Sequence, residues 1–194
     1  MVFLTGYIKE LGAVIMNFII RQEQESDYES TEKVVETAFA SAVQSDQNEH
    51  KLVSRIRQLG SFVPELSLVA VNEENNVIIG HILLSKVLIG NDDNQKTESL
   101  ALAPVSVSPD FQNKGIGKSL IQKALEEAKK LKFQSVVVLG HPEYYPKFGF
   151  RKSSIWKIKA PFEVPEEALM AIELQEGSLN HSSGIIEYPS VFFE

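Results

Sequence analysis

Between Thr97 and Leu139 the chain runs through a β-branched segment, a turn rich in proline and glycine, an amphipathic helix and a second apolar run, and few folds accept that succession. Thr97 to Val107 reads as a strand, but Pro104 inside it cannot donate to a ladder and calls for a bulge or a splay. Gln134 to Leu139 (QSVVVL) is short and continuously apolar, as expected of a strand buried on both faces. The helix between them is entered at Gly117 and carries its amphipathic pattern from Ser119 to Leu131. Strand, glycine loop, helix and strand in that order make a βαβ unit, so the two strands are expected to be parallel neighbours.

The loop itself, VSVSPDFQNKGIGK, spends two glycines and two lysines at a helix entrance. Glycine is unfavourable there unless the backbone must approach something closely or take a conformation closed to side chains. The first amides of a helix lack partners and lie at the positive end of its dipole, so an anion is expected there. Two familiar phosphate loops do not fit. Gln112 to Gly117 lacks the first glycine of a dinucleotide fingerprint, and Gln112 stands where G-x-x-x-x-G-K-[ST] requires glycine, although Gly117-Lys118-Ser119 resembles the end of that motif.

Upstream, Asn17 to Arg21 is a short β-rich run, Ser26-Asp27 is a cap, and a helical pattern follows through Val34, Val35, Ala38 and Phe39. A second helix is expected from Glu49 to Leu59, ended by Gly60. Leu66 to Val71 and Val77 to Ile89 are strands joined by the polar turn NEENN, which makes a meander. Downstream, GHPEYYPKFGF gives a short aromatic helix or turn ended by Gly149, and Ile155 to Glu194 mixes short strands with loops.

The 194 residues suit one substantial core, and 43% hydrophobic content is ordinary for a globular chain. The opening MVFLTGYIKELGAVI lacks a basic n-region and carries Lys9 and Glu10, so neither a signal peptide nor a membrane span is expected. Residues 1–15 are read as an extension, and 16–194 as one domain with its core over 17–152 and a tail over 153–194. A net charge of −7 argues against a nucleic-acid partner, so any anion site must be local. The absence of cysteine excludes disulfides and thiolate chemistry and is compatible with a cytoplasmic location.

Gln112-x-x-Gly115-x-Gly117 after Pro104-Val105-Ser106-Val107 resembles the acetyl-CoA motif (Q/R-x-x-G-x-G/A) of the GCN5-related N-acetyltransferases, the GNAT superfamily. Some thirty residues on, Tyr144-Tyr145-Pro146-Lys147-Phe148-Gly149-Phe150 resembles the F-Y-x-K-x-G-F element of the same domain, in the form found in its YhbS-like subgroup. Pro146 departs from the pattern, standing where many relatives have an acidic residue. The resemblance implies an α/β (α+β) GNAT fold: a mixed, mostly antiparallel sheet whose central parallel strand pair is splayed at the cofactor site, with helices on its flanks. It implies acetyl-CoA as acyl donor, an amine as acceptor, no metal, no membrane partner, and a monomer or homodimer.

The site residues follow from that resemblance. Backbone amides of Asn113, Lys114, Gly115, Ile116, Gly117 and Lys118 would hold the coenzyme A pyrophosphate, with Gln112 beside them, and this suits the physics of a helix entrance. Val105, Ser106 and Val107 would pair with the pantetheine arm as a strand would. Tyr145 would protonate the departing thiolate, with Tyr144 and Phe148 lining the site, although an aromatic there also packs a core. Glu98 is the candidate base, an ordinary solvated carboxylate being the other reading. His81 reads as a base or as a satisfied core histidine, His141 and Glu143 as turn residues, and His50 and His181 lack metal-ligand spacing. A GNAT-fold module that holds acyl-CoA without turnover and a nucleotide-binding NTPase stand as alternatives. The acidic chain favours a cationic acceptor.

Overall fold

The computed structural model describes residues 17–40, 47–91 and 95–194; the extension assigned to residues 1–15 lies outside them. Strand β1 (Phe18–Gln22) leads through a short turn into helix α1 (Tyr28–Phe39), and helix α2 is Glu49–Ile56. Three long strands follow, β2 (Phe62–Asn72), β3 (Val77–Gly90) and β4 (Lys96–Val107), then helix α3 (Ile116–Lys130) and strand β5 (Ser135–Leu139). The tail supplies β6 (Arg151–Lys152), β7 (Ile158–Lys159), β8 (Leu169–Glu173) and β9 (Gly184–Glu187).

The strands form one mixed sheet in the order β1-β2-β3-β4-β5-β8-β6, with β9 bridging β3 and β7. Pairs β1/β2, β2/β3, β3/β4 and β5/β8 are antiparallel, whereas β4/β5 is parallel, as the βαβ reading requires. The fold class implied by the sequence is the one observed.

Period-two alternation explains which helix covers which face. Leu83 and Ala103 pack with Val35 of α1 and with Val53 and Ile56 of α2. Their neighbours Ile82 and Leu84 pack with Ile116, Leu120 and Ile121 of α3. Successive strand residues point to opposite faces, so α1 and α2 cover one face of the sheet and α3 the other. β5 is covered on both sides, with Val136 and Val138 in the α3 core and Val137 in a core closed by Trp156, Ile158 and Leu169 of the tail. No helix among the described residues is long and apolar enough to cross a membrane.

The element boundaries differ from the sequence expectation where backbone geometry, not hydrophobicity, sets the end. The helix expected to Leu59 leaves α-geometry at Ile56, and Gln58 and Leu59 instead donate to the carbonyls of Arg55 and Ile56, a tightened last turn. Helix α3 starts at Ile116, because Gly115 at φ 83° is its cap and Ser119 donates to the Gly115 carbonyl. Asp27 stands at the N-cap position of α1 but gives it no side-chain hydrogen bond; its carboxylate accepts instead from the Gln24 amide and from Arg21, closing the 3-10 turn Glu25–Asp27 before the helix.

Candidate active site

The parallel pair β4/β5 touches at only two registers, Leu100 with Val136 and Ala101 with Val137. Beyond Ala101, β4 keeps its ladder to β3 as far as Gly80–Val107, but has no register partner on β5. The strands therefore form a fork that opens toward their C-terminal ends. The cause is local. Leu83 pairs with Ala103 and Ile82 with Val105, so Pro104 is the extra residue of a bulge, which bends the strand. The fork leaves the β5-facing backbone of Leu102 to Val107 without a strand to bond.

Where β4 ends, Ser108 N donates to Ile79 O, and Pro109–Phe111 forms a single 3-10 turn. Gln112 donates through Nε2 to Val107 O at 3.2 Å, and Lys114 donates through Nζ to Asp110 O at 2.8 Å, so both side chains brace the loop. Asn113 (φ 61°) and Gly115 (φ 83°) take left-handed backbone before the helix begins. A Cβ on Gly115 would meet nothing, so glycine serves there for its φ rather than for space. The cap makes no side-chain hydrogen bond and the first turn of α3 holds no acidic residue, leaving the Ile116, Gly117 and Lys118 amides as an unclaimed donor set. The Ile116 side chain is buried in the core, while Asn113, Lys114, Gly115 and Lys118 are exposed. Gly117 faces the Val107 side chain and the Tyr144 hydroxyl.

The two tyrosines occupy different places. Tyr144 is half-buried, with its hydroxyl 3.4 Å from where a Cβ on Gly117 would stand, at the entrance of α3. Tyr145 lies deeper, 7% exposed, its ring laid on Gly140 just past the end of β5. A Cβ on Gly140 would lie 2.2 Å from Tyr145 Cε2, so only glycine permits this approach. Edge-on contacts with Tyr144 (5.3 Å) and Phe150 (5.6 Å) fix the ring, and Phe148 sits edge-on to Tyr144 at 5.4 Å. Burial, with Tyr144 as a lesser cause, pushes the Tyr145 phenol up to about 12. It therefore carries its proton throughout the neutral range.

The other sequence candidates separate from this group. Glu98 lies two residues before Leu100, on the closed side of the fork, exposed and 3.7 Å from Lys86 Nζ. Ser106 is buried opposite His81, its hydroxyl turned to the His81 carbonyl at 3.5 Å, so it offers backbone alone to the fork. His141 accepts from the Tyr144 amide and serves as a turn residue. Among the described residues no group of three or more His, Asp or Glu side chains could hold a metal ion.

A buried polar network escaped the sequence. Arg57 donates to both oxygens of Glu23 (2.7 and 3.3 Å) and to Glu32 (2.6 Å), with its guanidinium 3.9 Å above the Tyr28 ring. Ser67 donates to Glu23 Oε2 at 2.6 Å, and the fully buried His81 meets the same hydroxyl through Nε2 at 3.1 Å. The single Ser67 proton is given to Glu23, so His81 Nε2 must be the donor, and Nδ1 has no hydrogen-bond partner. Burial pulls the imidazole down to about 4, against a smaller opposite effect of Glu23. Of the two readings of His81, the core histidine fits this placement, though it is only half satisfied. The signal was faint because Glu23 and Arg57 are 34 positions apart, and each reads alone as a surface charge.

The acetyltransferase (GNAT) family profile matches residues 22–150, which hold the fork, the glycine loop and both tyrosines. The chain is 27% identical over 174 residues to the uncharacterized N-acetyltransferase YhbS of Escherichia coli K12, covering 90% of this chain and 98% of that one. It is 32% identical over 154 residues to the uncharacterized N-acetyltransferase YjhQ of the same strain, 79% of this chain and 81% of that one. The crystal structure of E. coli YhbS in complex with CoA superposes with a TM-score of 0.79 over 92% of this chain and 93% of that one, at 24% identity. A Brucella melitensis GNAT acetyltransferase in complex with acetyl-CoA superposes with a TM-score of 0.74 over 91% and 99%, at 28% identity. On the matched residues and the shared fold, the chain belongs to the acetyltransferase (GNAT) family.

Proposed function

We propose that this N-acetyltransferase family member moves an acetyl group from acetyl-CoA to a primary amine by direct attack on the thioester. The observation that carries the reading is the fork between β4 and β5, opening beside the glycine entrance of α3, whose first amides take no side-chain cap. Two elongated requirements of acetyl-CoA meet there. Its pyrophosphate suits the Ile116, Gly117 and Lys118 amides, with those of Asn113 to Gly115 leading in. Its pantetheine amides suit the unpaired backbone of Val105 to Val107 as an added strand. The CoA and acetyl-CoA held by the two solved relatives support this fit.

The chain's own residues then have limited work. Holding amine and thioester together supplies proximity. As the amine nitrogen bonds to the carbonyl carbon, the carbon–sulfur bond breaks, the excess amine proton leaves to water, and Tyr145 donates its proton to the departing thiolate. The high affinity of the Tyr145 phenol for its proton keeps this donor loaded, and water reloads it afterwards. Tyr144 and Phe148 shape the wall.

Calorimetry with acetyl-CoA, CoA and ATP, paired with thiol release over a panel of amines, tests the proposal. Binding of acetyl-CoA and amine-dependent thiol release are expected. Acetyl-CoA binding without release for any amine would instead make the protein an acyl-CoA-binding module, and preferential ATP binding would overturn the reading.

A further inference from the structure

On the face of the sheet opposite α3, an open groove of about 740 Å³ lies beside the mouth of the fork. Its position follows from the tail. Leu169 pairs with Leu139, the last residue of β5, and Gly140 N donates to Ala168 O at 2.9 Å, so the groove wall is fastened where the fork opens and where Tyr145 lies on Gly140. The volume is within the range of small-molecule sites, and the lining is largely apolar, as such sites are. Ile158, Val164 and Leu169 form the floor, and the exposed ring of Phe162 stands at the side, backed by Tyr188 at 6.3 Å. Two carboxylates, Glu163 and Glu166, mark the rim; Glu166 is held by Ser154 at 2.7 Å, and Lys159 is the one opposing charge in the lining.

Resting on the acetyl-transfer reading, we propose that this groove receives the body of the acceptor, and that the acceptor is an apolar amine carrying a second cationic group. The apolar floor and Phe162 take the hydrocarbon body. Glu163 and Glu166 hold the distal cation, which an aromatic face beside them also favours. The chain's −7 charge attracts a dication more strongly than a monocation, and an acceptor ending in a carboxylate would meet Lys159 alone against Glu163 and Glu166 in the lining. With the coenzyme's pyrophosphate at α3, donor and acceptor reach the fork from opposite faces of the sheet, so neither blocks the other.

Three amines with the same ring separate the charge from the body: p-xylylenediamine, 4-methylbenzylamine and 4-(aminomethyl)benzoate. Thiol release from acetyl-CoA by the full chain is expected to show kcat/KM about tenfold higher for the diamine than for 4-methylbenzylamine, the size expected of two exposed ion pairs, and the benzoate lowest. The double substitution Glu163→Gln, Glu166→Gln should collapse the ratio of diamine to monoamine toward one. Equal rates for the three amines, or a ratio that survives the double substitution, overturns the groove assignment while leaving acetyl transfer intact. Calorimetry with p-xylylenediamine in the presence of CoA reads the groove without turnover. Affinity lost on the double substitution supports the site even if no amine is acetylated, and no binding by the wild type removes it.

Discussion

Tyr145 and Tyr144 are adjacent in sequence, yet the backbone lays one ring on Gly140, just past the end of β5, and sends the other hydroxyl to the entrance of α3. A thiolate leaves moderately well unaided, so a phenol that assists it should contribute the roughly 10²–10⁴-fold typical of general acid catalysis. Tyr145→Phe keeps the ring on Gly140 and removes the hydroxyl that carries the proton. Turnover is expected to fall within that range with acetyl-CoA affinity unchanged, because the proton is donated in the transition state. Full turnover in this variant would reduce Tyr145 to a packing residue. Gly140→Ala probes the same ring from the other side: a Cβ 2.2 Å from Tyr145 Cε2 must displace it, so turnover should fall as it does for Tyr145→Phe. Thermal denaturation of the alanine variant separates a moved ring from an unfolded chain.

The entrance of α3 turns on the backbone of one residue. Gly115 adopts φ 83° with open space around its Cα, so a substitution there suffers from backbone strain alone. That strain is about 1–3 kcal/mol for most side chains and smaller for asparagine, which tolerates the left-handed region. Gly115→Val should therefore redirect the amides and abolish acetyl-CoA binding in calorimetry while circular dichroism remains native, and Gly115→Asn should bind nearly as the wild type does. Equal binding by the two variants would mean that the loop geometry is irrelevant to the ligand. This part of the fold was legible because its signals are local. The bulge is written in Pro104, the parallel crossover in the length of α3, and the entrance in Gly115 and Gly117. The placement of β8 beside β5 was not legible, since LMAIE pairs with SVVVL across some thirty residues and neither pattern names its partner. The groove shares that fate, being made where the tail is fastened to β5. The sequence places Glu98 on β4 but does not show at which residue β4 and β5 part, so its position two residues before their first contact came from the structure alone.

The network around His81 acts on the molecule as a whole, because it joins β1, β2, β3 and the end of α2 in one buried set of charges and hydrogen bonds. Such a set is an uncertain source of stability, since burying Glu23 and Arg57 costs solvation that their pairing offsets. Its pH dependence is better defined. His81 is held near 4 in the fold against 6.5 for an ordinary imidazole, so between those values the unfolded chain binds a proton that the folded one refuses. Unfolding therefore takes up protons in this window, and stability must fall as pH drops from about 6.5 toward about 4, by roughly 3 kcal/mol over the full interval. Above 6.5 neither state binds the proton, and below 4 both do, so the effect is confined to that interval. Asp27, lowered chiefly by the Arg21 hydrogen bond, loses its own contribution below the usual 3.8 and does not intrude. Urea unfolding at pH 7 and pH 4.5 measures the loss directly. His81→Asn removes the titration and keeps a donor for Ser67, and it should be less stable at pH 7 but show a clearly flatter decline with acid. Parallel declines in wild type and variant would mean that the folded chain binds the His81 proton as readily as the unfolded one, which requires an acceptor for the added Nδ1–H.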